Sequence, residues 1–205
     1  MRYRAVYSKR GKARYLSHID LIHVIQRSFR RGGIEVRKTQ GFHPKQDFTY
    51  GPALPLGMEA LREVLEFRST RRIGAKEFLA RINKSLPPGI RFSSLERIEA
   101  SSPSLHNAME RLVYSLDRKS GDLGRALSTA DLKLAIGRFK AGGTGAAAME
   151  FRLSGRRLVL GLPPDPAKGL RAQDIVREVF GVEDPVFLIR RDEVVLKIDT
   201  GGRIR

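Results

Sequence analysis

Residues 14–57 read RYLSHIDLIHVIQRSFRRGGIEVRKTQGFHPKQDFTYGPALPLG, and this stretch decides the fold. Ser17 suits a helix N-cap, because its hydroxyl can accept from a backbone N–H that has no partner inside the helix. Asp20, three residues on, resembles the second half of a capping box. Leu21, Ile22, Ile25 and Phe29 recur at helical spacing, with Val24 and Ser28 on their flank. The spacing predicts a helix running to Arg31 and stopped by Gly32-Gly33. Ile34 to Thr39 predicts a strand, a Gly/Pro-punctuated loop follows, and Asp47 to Tyr50 extends the strand beyond it.

Working outward, Arg2 to Ser8 alternates and predicts a strand, with Lys9 to Lys12 as a turn. Glu63 to Ser69 alternates again. Ala75 to Leu86 predicts an amphipathic helix, with Phe78, Leu79 and Ile82 on one face and Pro87-Pro88-Gly89 as its stop. Ile90 to Ile98 is a further strand. The order β-α-β-β-α-β is the ferredoxin-like pattern. Beyond a linker at Ala100 to Asn107 it recurs: a strand at Met109 to Leu116, a helix at Asp122 to Ile136, and a hairpin of Ala148–Leu153 and Arg157–Leu162 about Ser154-Gly155. A helix at Leu170 to Phe180 and a strand at Val186 to Lys197 complete it. The expected class is α+β, two tandem ferredoxin-like units over residues 1–99 and 108–199, duplicated in element order rather than in sequence.

The chain has 205 residues and a formal net charge of +17. The first fifty residues hold twelve Lys/Arg against three Asp/Glu, so about half of the excess lies in a quarter of the chain. Asymmetry of this kind speaks to association with an anionic partner, not to fold. No apolar run approaches the roughly 18–20 residues of a membrane span. The basic start lacks the apolar core of a signal peptide, and a cytoplasmic location is expected. There is no cysteine, which excludes disulfides, thiol nucleophiles and a self-contained iron–sulfur cluster.

On the first helix His23, Arg27, Arg30 and Arg31 fall at i, i+4, i+7 and i+8, away from the apolar stripe. They set a row of donors over about 12 Å at the helical rise, suited to a row of phosphates. Arginines at a helix C-terminus also complement the macrodipole with no ligand at all. Lys9, Arg10, Lys12 and Arg14 precede the helix, and Arg37 and Lys38 follow it. In a ferredoxin-like unit the two clusters flank the helix, an extended layout that suits a nucleic-acid backbone. In the loop Gln40 to Lys45, Phe42 can stack on a base, His43 can act as acid or base, and Lys45 can hold a phosphate. The alternative is a plain turn with Phe42 tucked into the core. His43 and His18 are the candidate catalytic bases. His18 and His23 are five apart, not the i, i+4 of a helical metal pair, and neither a metal nor a cofactor is expected. Ala141 to Gly145 is glycine-rich but lacks the Lys-Ser/Thr of a P-loop and reads as a connection. The closing GGRIR reads as a frayed basic tail.

Lys12-x-Arg14-Tyr15-Leu16-Ser17-His18-Ile19-Asp20-Leu21, Arg27-x-x-Arg30-Arg31-x-Gly33, Gly41-Phe42-His43-Pro44 and Pro52-Ala53-Leu54-Pro55-Leu56-Gly57-x-Glu59 together resemble the radical SAM-linked family, a bacterial group with a DUF2344-type domain. The resemblance covers roughly residues 1–70. After Pro44 the family often continues with another His-Pro, where this chain has Lys45-Gln46. Such domains occur fused to, or encoded beside, a B12-binding-like radical SAM protein, so the resemblance implies an accessory role. The expected function is an RNA-binding accessory protein that presents tRNA or rRNA to a radical SAM partner. Arg14, His23, Arg27, Arg30, Arg31, Arg37, Lys38, Phe42 and Lys45 would contact the RNA. The alternatives are a metal-independent RNA-processing enzyme using His43, and a protein-interaction module that docks through the PALPLG stretch.

Overall fold

A computed structural model describes residues 1–117, 137, 150–154, 157–164, 171–181 and 189–197. Its strands are β1 (Arg2–Lys9), β2 (Phe48–Tyr50), β3 (Glu59–Arg68), β4 (Ile90–Ile98), β5 (Met109–Asp117), β6 (Glu150–Ser154), β7 (Arg157–Leu162) and β8 (Ile189–Leu196). The helices are α1 (His18–Arg31), α2 (Ala75–Ser85), the short α3 (Leu105–Ala108) and α4 (Ala172–Phe180), with a 3-10 turn at Gly11–Tyr15. The class is α+β. All eight strands join one sheet in the order β4-β1-β3-β8-β5-β7-β6, with β2 also on β3. Among the described residues every strand pairing is antiparallel except β3 with β8. The helix expected over 122–136, the Ala141 to Gly145 run and the GGRIR tail lie outside the described residues.

α1 forms where the pattern places it. Ser17 Oγ accepts from the Asp20 N–H at 3.1 Å, and Leu21, Ile25 and Phe29 are buried. Phe29 sits edge-on to Phe48, Phe67, Phe78 and Phe92, with ring centroids between 5.0 and 5.9 Å. Edge-to-face aromatic pairs of this kind add about 0.5–1.5 kcal/mol each beyond area burial. Tyr3, Ala5 and Tyr7 of β1 and Leu65 and Phe67 of β3 supply the sheet side of this core. A second core joins Leu54, Met58, Ala60 and Val64 to Leu112, Leu116, Leu158, Ile175 and Ile189.

The other face of β1 carries ions. Glu66 pairs with Arg2 at 2.7 Å and Arg4 at 2.8 Å, and Arg2 also donates to the Ser102 and Pro103 carbonyls. Those bonds fix the 100–104 connection to the sheet.

The strand expected over Ile34–Thr39 is not formed. Ile34 is buried, but the Arg37 N–H donates to the Arg68 carbonyl, and pairing within the segment is confined to one antiparallel bridge between Lys38 and Gln46. The chain leaves the sheet at Arg37, turns back and rejoins at Asp47, so β2 is only three residues long. β3 starts four residues earlier than the alternation of Glu63 to Ser69 suggests.

Candidate functional site

α1 divides the sequence-derived residues between two ends of the molecule. β3 runs from Glu59 to Arg68, about 30 Å at 3.3 Å per residue. His18 opens α1 at the Glu59 end, whereas His43 belongs to a loop rooted at Arg68. The two histidines therefore do not converge on one site.

At the Arg68 end, residues 37–47 form a finger. Asp47 N–H donates to the Arg37 carbonyl at 2.8 Å, Thr39 N–H to the Lys45 carbonyl at 2.7 Å, and Lys45 N–H to Thr39 Oγ1 at 3.0 Å. Gly41 at the tip has φ +133°, a conformation that side chains rarely adopt. Phe42 is fully exposed at 101% and is not tucked into the core, so that alternative is set aside. His43 beside it is exposed, as are Lys45, Lys38 and Arg37 further down the finger. Among the described residues His43 has no carboxylate partner to orient it as a base.

His23, Arg27 and Arg30 lie exposed along the outer face of α1, and none has an ion pair among the described residues. Arg31 differs from its neighbours. It donates to Ser28 Oγ at 3.2 Å and to the Ser85 carbonyl at 2.6 Å, tying α1 to α2. Arg14 is likewise committed, its Nε donating to the Gly57 carbonyl. The cationic set running from α1 to the finger and open to a ligand is thus Arg27, Arg30, Arg37, Lys38 and Lys45, with His23 at its α1 end.

The opposite end, where β3 meets β8, holds a buried charged cluster that no local pattern singles out. Arg191 reaches both Glu63 oxygens at 3.2 and 3.1 Å and the Pro52 and Ala53 carbonyls at 2.9 and 3.1 Å. Its guanidinium lies 5.4 Å from the centroid of the Tyr114 ring. Lys9 is fully buried and donates to the Leu16 carbonyl at 2.7 Å. Burial raises the Glu63 carboxyl against the pull of Arg191 and Lys9, and burial lowers Lys9. His18 packs edge-on to Tyr50 at 6.3 Å, and burial followed by the charges of Lys9 and Arg191 lowers its pKa. The cluster braces the seam: one arginine from β8 satisfies a carboxylate of β3 and two carbonyls of the PALPLG loop. The alternation of β3 runs on to Glu63 from Leu65 and Phe67, but Lys9, expected in a turn with the basic cluster before α1, is instead the last residue of β1 and is buried, so it is not open to a ligand.

Above this cluster the surface is apolar. Tyr15, Ile19 and Leu56 are 59–60% exposed. The Gly57 N–H donates to the Arg14 carbonyl at 2.9 Å, which brings Leu56 beside Tyr15. Arg10 and Lys12 are exposed in the adjoining turn. A cavity of about 330 Å³ lies at the Arg68 end, lined by Arg2, Asp47, Thr49, Glu66, Arg68 and Ser102, so its charges are mixed. Among the described residues no group of three or more His, Asp or Glu side chains is placed to hold a metal. No helix among them is long and apolar enough to cross a membrane.

A family model described as "Uncharacterized protein conserved in bacteria (DUF2344)" matches residues 2–148. The chain belongs to this family. The matched segment takes in α1, the finger, Lys9 and Glu63, while Arg191 lies beyond it. No curated protein matches the chain.

Proposed function

We propose that the protein is an RNA-binding accessory factor that presents structured RNA, tRNA or rRNA, to a radical SAM partner in the cytoplasm. In this reading the chain is two tandem ferredoxin-like units, 1–99 and 108–199. The strand orders β4-β1-β3-β2 and β8-β5-β7-β6 support it, because the second repeats the first position for position. The observation that carries the RNA reading is the set of five cations and His23 running from α1 to the finger, solvent-facing and unpaired among the described residues. Phosphates would lie along Arg27, Arg30, Arg37, Lys38 and Lys45, with Phe42 and His43 near the nucleotide to be modified.

Binding to RNA measured across salt tests the proposal. Each neutralised phosphate contributes a slope of about −0.7 in log K against log salt on single strands. Arg27→Gln with Arg30→Gln should make the slope shallower by about 1.4. A flat response in the wild type, or no RNA retained at low salt, sinks the reading.

A second reading has its own observation. The Tyr15, Ile19 and Leu56 surface, edged by Arg10 and Lys12, suits an acidic protein with an apolar anchor, and the radical SAM partner would dock there. Co-purification of the two in nuclease-treated lysate supports this contact, whereas loss of the complex on nuclease treatment would show that RNA bridges them.

A further inference from the structure

We infer that the 37–47 finger is a reader of unpaired nucleobases, with Phe42 as a stacking platform, so the substrate class is RNA whose bases are free in a single strand or a loop. The inference rests on the RNA reading above and narrows it. Phe42 has its whole ring in solvent at 101% exposure, and the residues on either side of it, Gly41 and His43, are exposed as well. The backbone that carries it is closed at its stem. The base of the finger is closed by the Lys38–Gln46 bridge, and by bonds from Thr39 N–H, Lys45 N–H and Asp47 N–H within it. Arg37 N–H and the Asp47 carbonyl then both bond Arg68, which roots the finger in the end strand position of β3. The ring is thus carried at the end of a closed stem, so the cost of ordering the stem is met before a ligand arrives, and stacking has only the tip and the ring left to order.

The surroundings select the ligand. Lys45 lies at the neck below the tip and Lys38 and Arg37 follow towards the root, all exposed, while the finger's one carboxylate, Asp47, faces Arg68 at 3.7 Å. Cations beside a free aromatic face match the alternation of phosphate and base along a strand. A base inside a duplex has both faces covered by its neighbours and offers Phe42 nothing to stack on, whereas an unpaired base offers a full face. A lipid surface is the other anionic partner an aromatic–lysine loop can meet. It would call for several apolar side chains at the tip with cations in one plane around them. Here a single ring stands at the tip, and the cations continue along α1 through Arg30 and Arg27.

The experiment compares an unstructured RNA strand, a hairpin with a large loop and a blunt duplex of the same phosphate count, using wild type, Phe42→Ala and Phe42→Trp. Phe42→Ala should weaken binding to the strand and the hairpin by about ten-fold or more, leave the duplex unchanged and keep the salt slope. Phe42→Trp should retain binding, and 2-aminopurine in the strand should lose fluorescence on binding to wild type and Phe42→Trp but not to Phe42→Ala. Equal affinities of wild type and Phe42→Ala for the strand would overturn the inference while leaving RNA binding in place. So would an equal loss on strand and duplex. Failure of the wild type to bind any of the three RNAs removes the RNA reading itself. Vesicles of anionic phospholipid form the last arm: a Phe42-dependent affinity for them, without one for the strand, assigns the finger to membranes instead.

Discussion

Lys9, Glu63 and Arg191 put two positive charges and one negative charge in a space from which water is excluded. Glu63 is the member that balances the other two, so its loss is the most damaging. Glu63→Gln should destabilise by about 3–5 kcal/mol in chemical denaturation, because two cations stay buried with no carboxylate. Lys9→Met should cost about 1–3 kcal/mol, the penalty of a lost donor to the Leu16 carbonyl, since Glu63 and Arg191 remain paired. Equal costs for the two variants would count against this ranking. His18 feels the same cluster. Its pKa is lowered in the fold by burial and then by Lys9 and Arg191, whereas in the unfolded chain it stays near 6.5. A depressed histidine stabilises the fold above that value and loses the contribution as pH falls through the folded pKa. The melting temperature should therefore drop between pH 7 and 5 more steeply in wild type than in His18→Gln, and parallel curves would refute the coupling. Alternation marks Glu63 as an inward-facing charge, whereas Lys9 reads as one of a basic turn cluster, because β1 runs one residue past the expected end at Ser8 and carries Lys9 inward. That they meet Arg191 was not legible, since a parallel contact 128 residues apart leaves no trace in local pattern.

α1 is the element the sequence describes best, because its cap, stripe and stop are all local. Ser17→Ala removes the acceptor for Asp20 N–H and should cost about 1 kcal/mol in denaturant unfolding. A change within a few tenths would mean that water caps the helix equally well. The finger was less legible for a definite reason. Ile34 to Lys38 has the composition of a strand, but whether such a run pairs depends on which N–H groups find carbonyls. Here Arg37 finds Arg68, and Thr39 finds Lys45 across the finger. The loop's chemistry could be read at Phe42, His43 and Lys45, yet exposure of the ring could not, since Gly and Pro turn signals fit a buried or a projecting phenylalanine equally. The row on α1 shows the opposite limit: spacing puts Arg31 with Arg27 and Arg30, and only the tertiary partner Ser85 separates it from them.

At the scale of the molecule, one core is drawn from the first half alone and the other from both halves. Met58 is fully buried among Leu54, Val64 and side chains of β5, β7 and β8. Unfolding should accordingly be a single transition in which far-ultraviolet circular dichroism and tyrosine fluorescence coincide, there being five tyrosines and no tryptophan. Met58→Ala should shift that one transition by about 2–5 kcal/mol. Two separate midpoints would mean that the halves melt independently. Element order along the chain was visible in hydrophobic alternation. The fusion of all strands through β3 and β8 was not, because it rests on only two residue pairs.

The fourteen residues of α1 also act as a ruler. At 1.5 Å per residue they hold its first turn, which carries Ile19, about 20 Å from its last, after which the chain runs on to the finger. A helix cannot be stretched, so this distance is a fixed property of the scaffold. If the proposed function holds, a partner seated on the apolar surface would meet a nucleotide stacked on Phe42 only by sending a protrusion across that gap. On the proposed function, a strand that reached the partner without such a protrusion would run back along Arg30 and Arg27, and the nucleotide delivered would be several positions away from the one on Phe42.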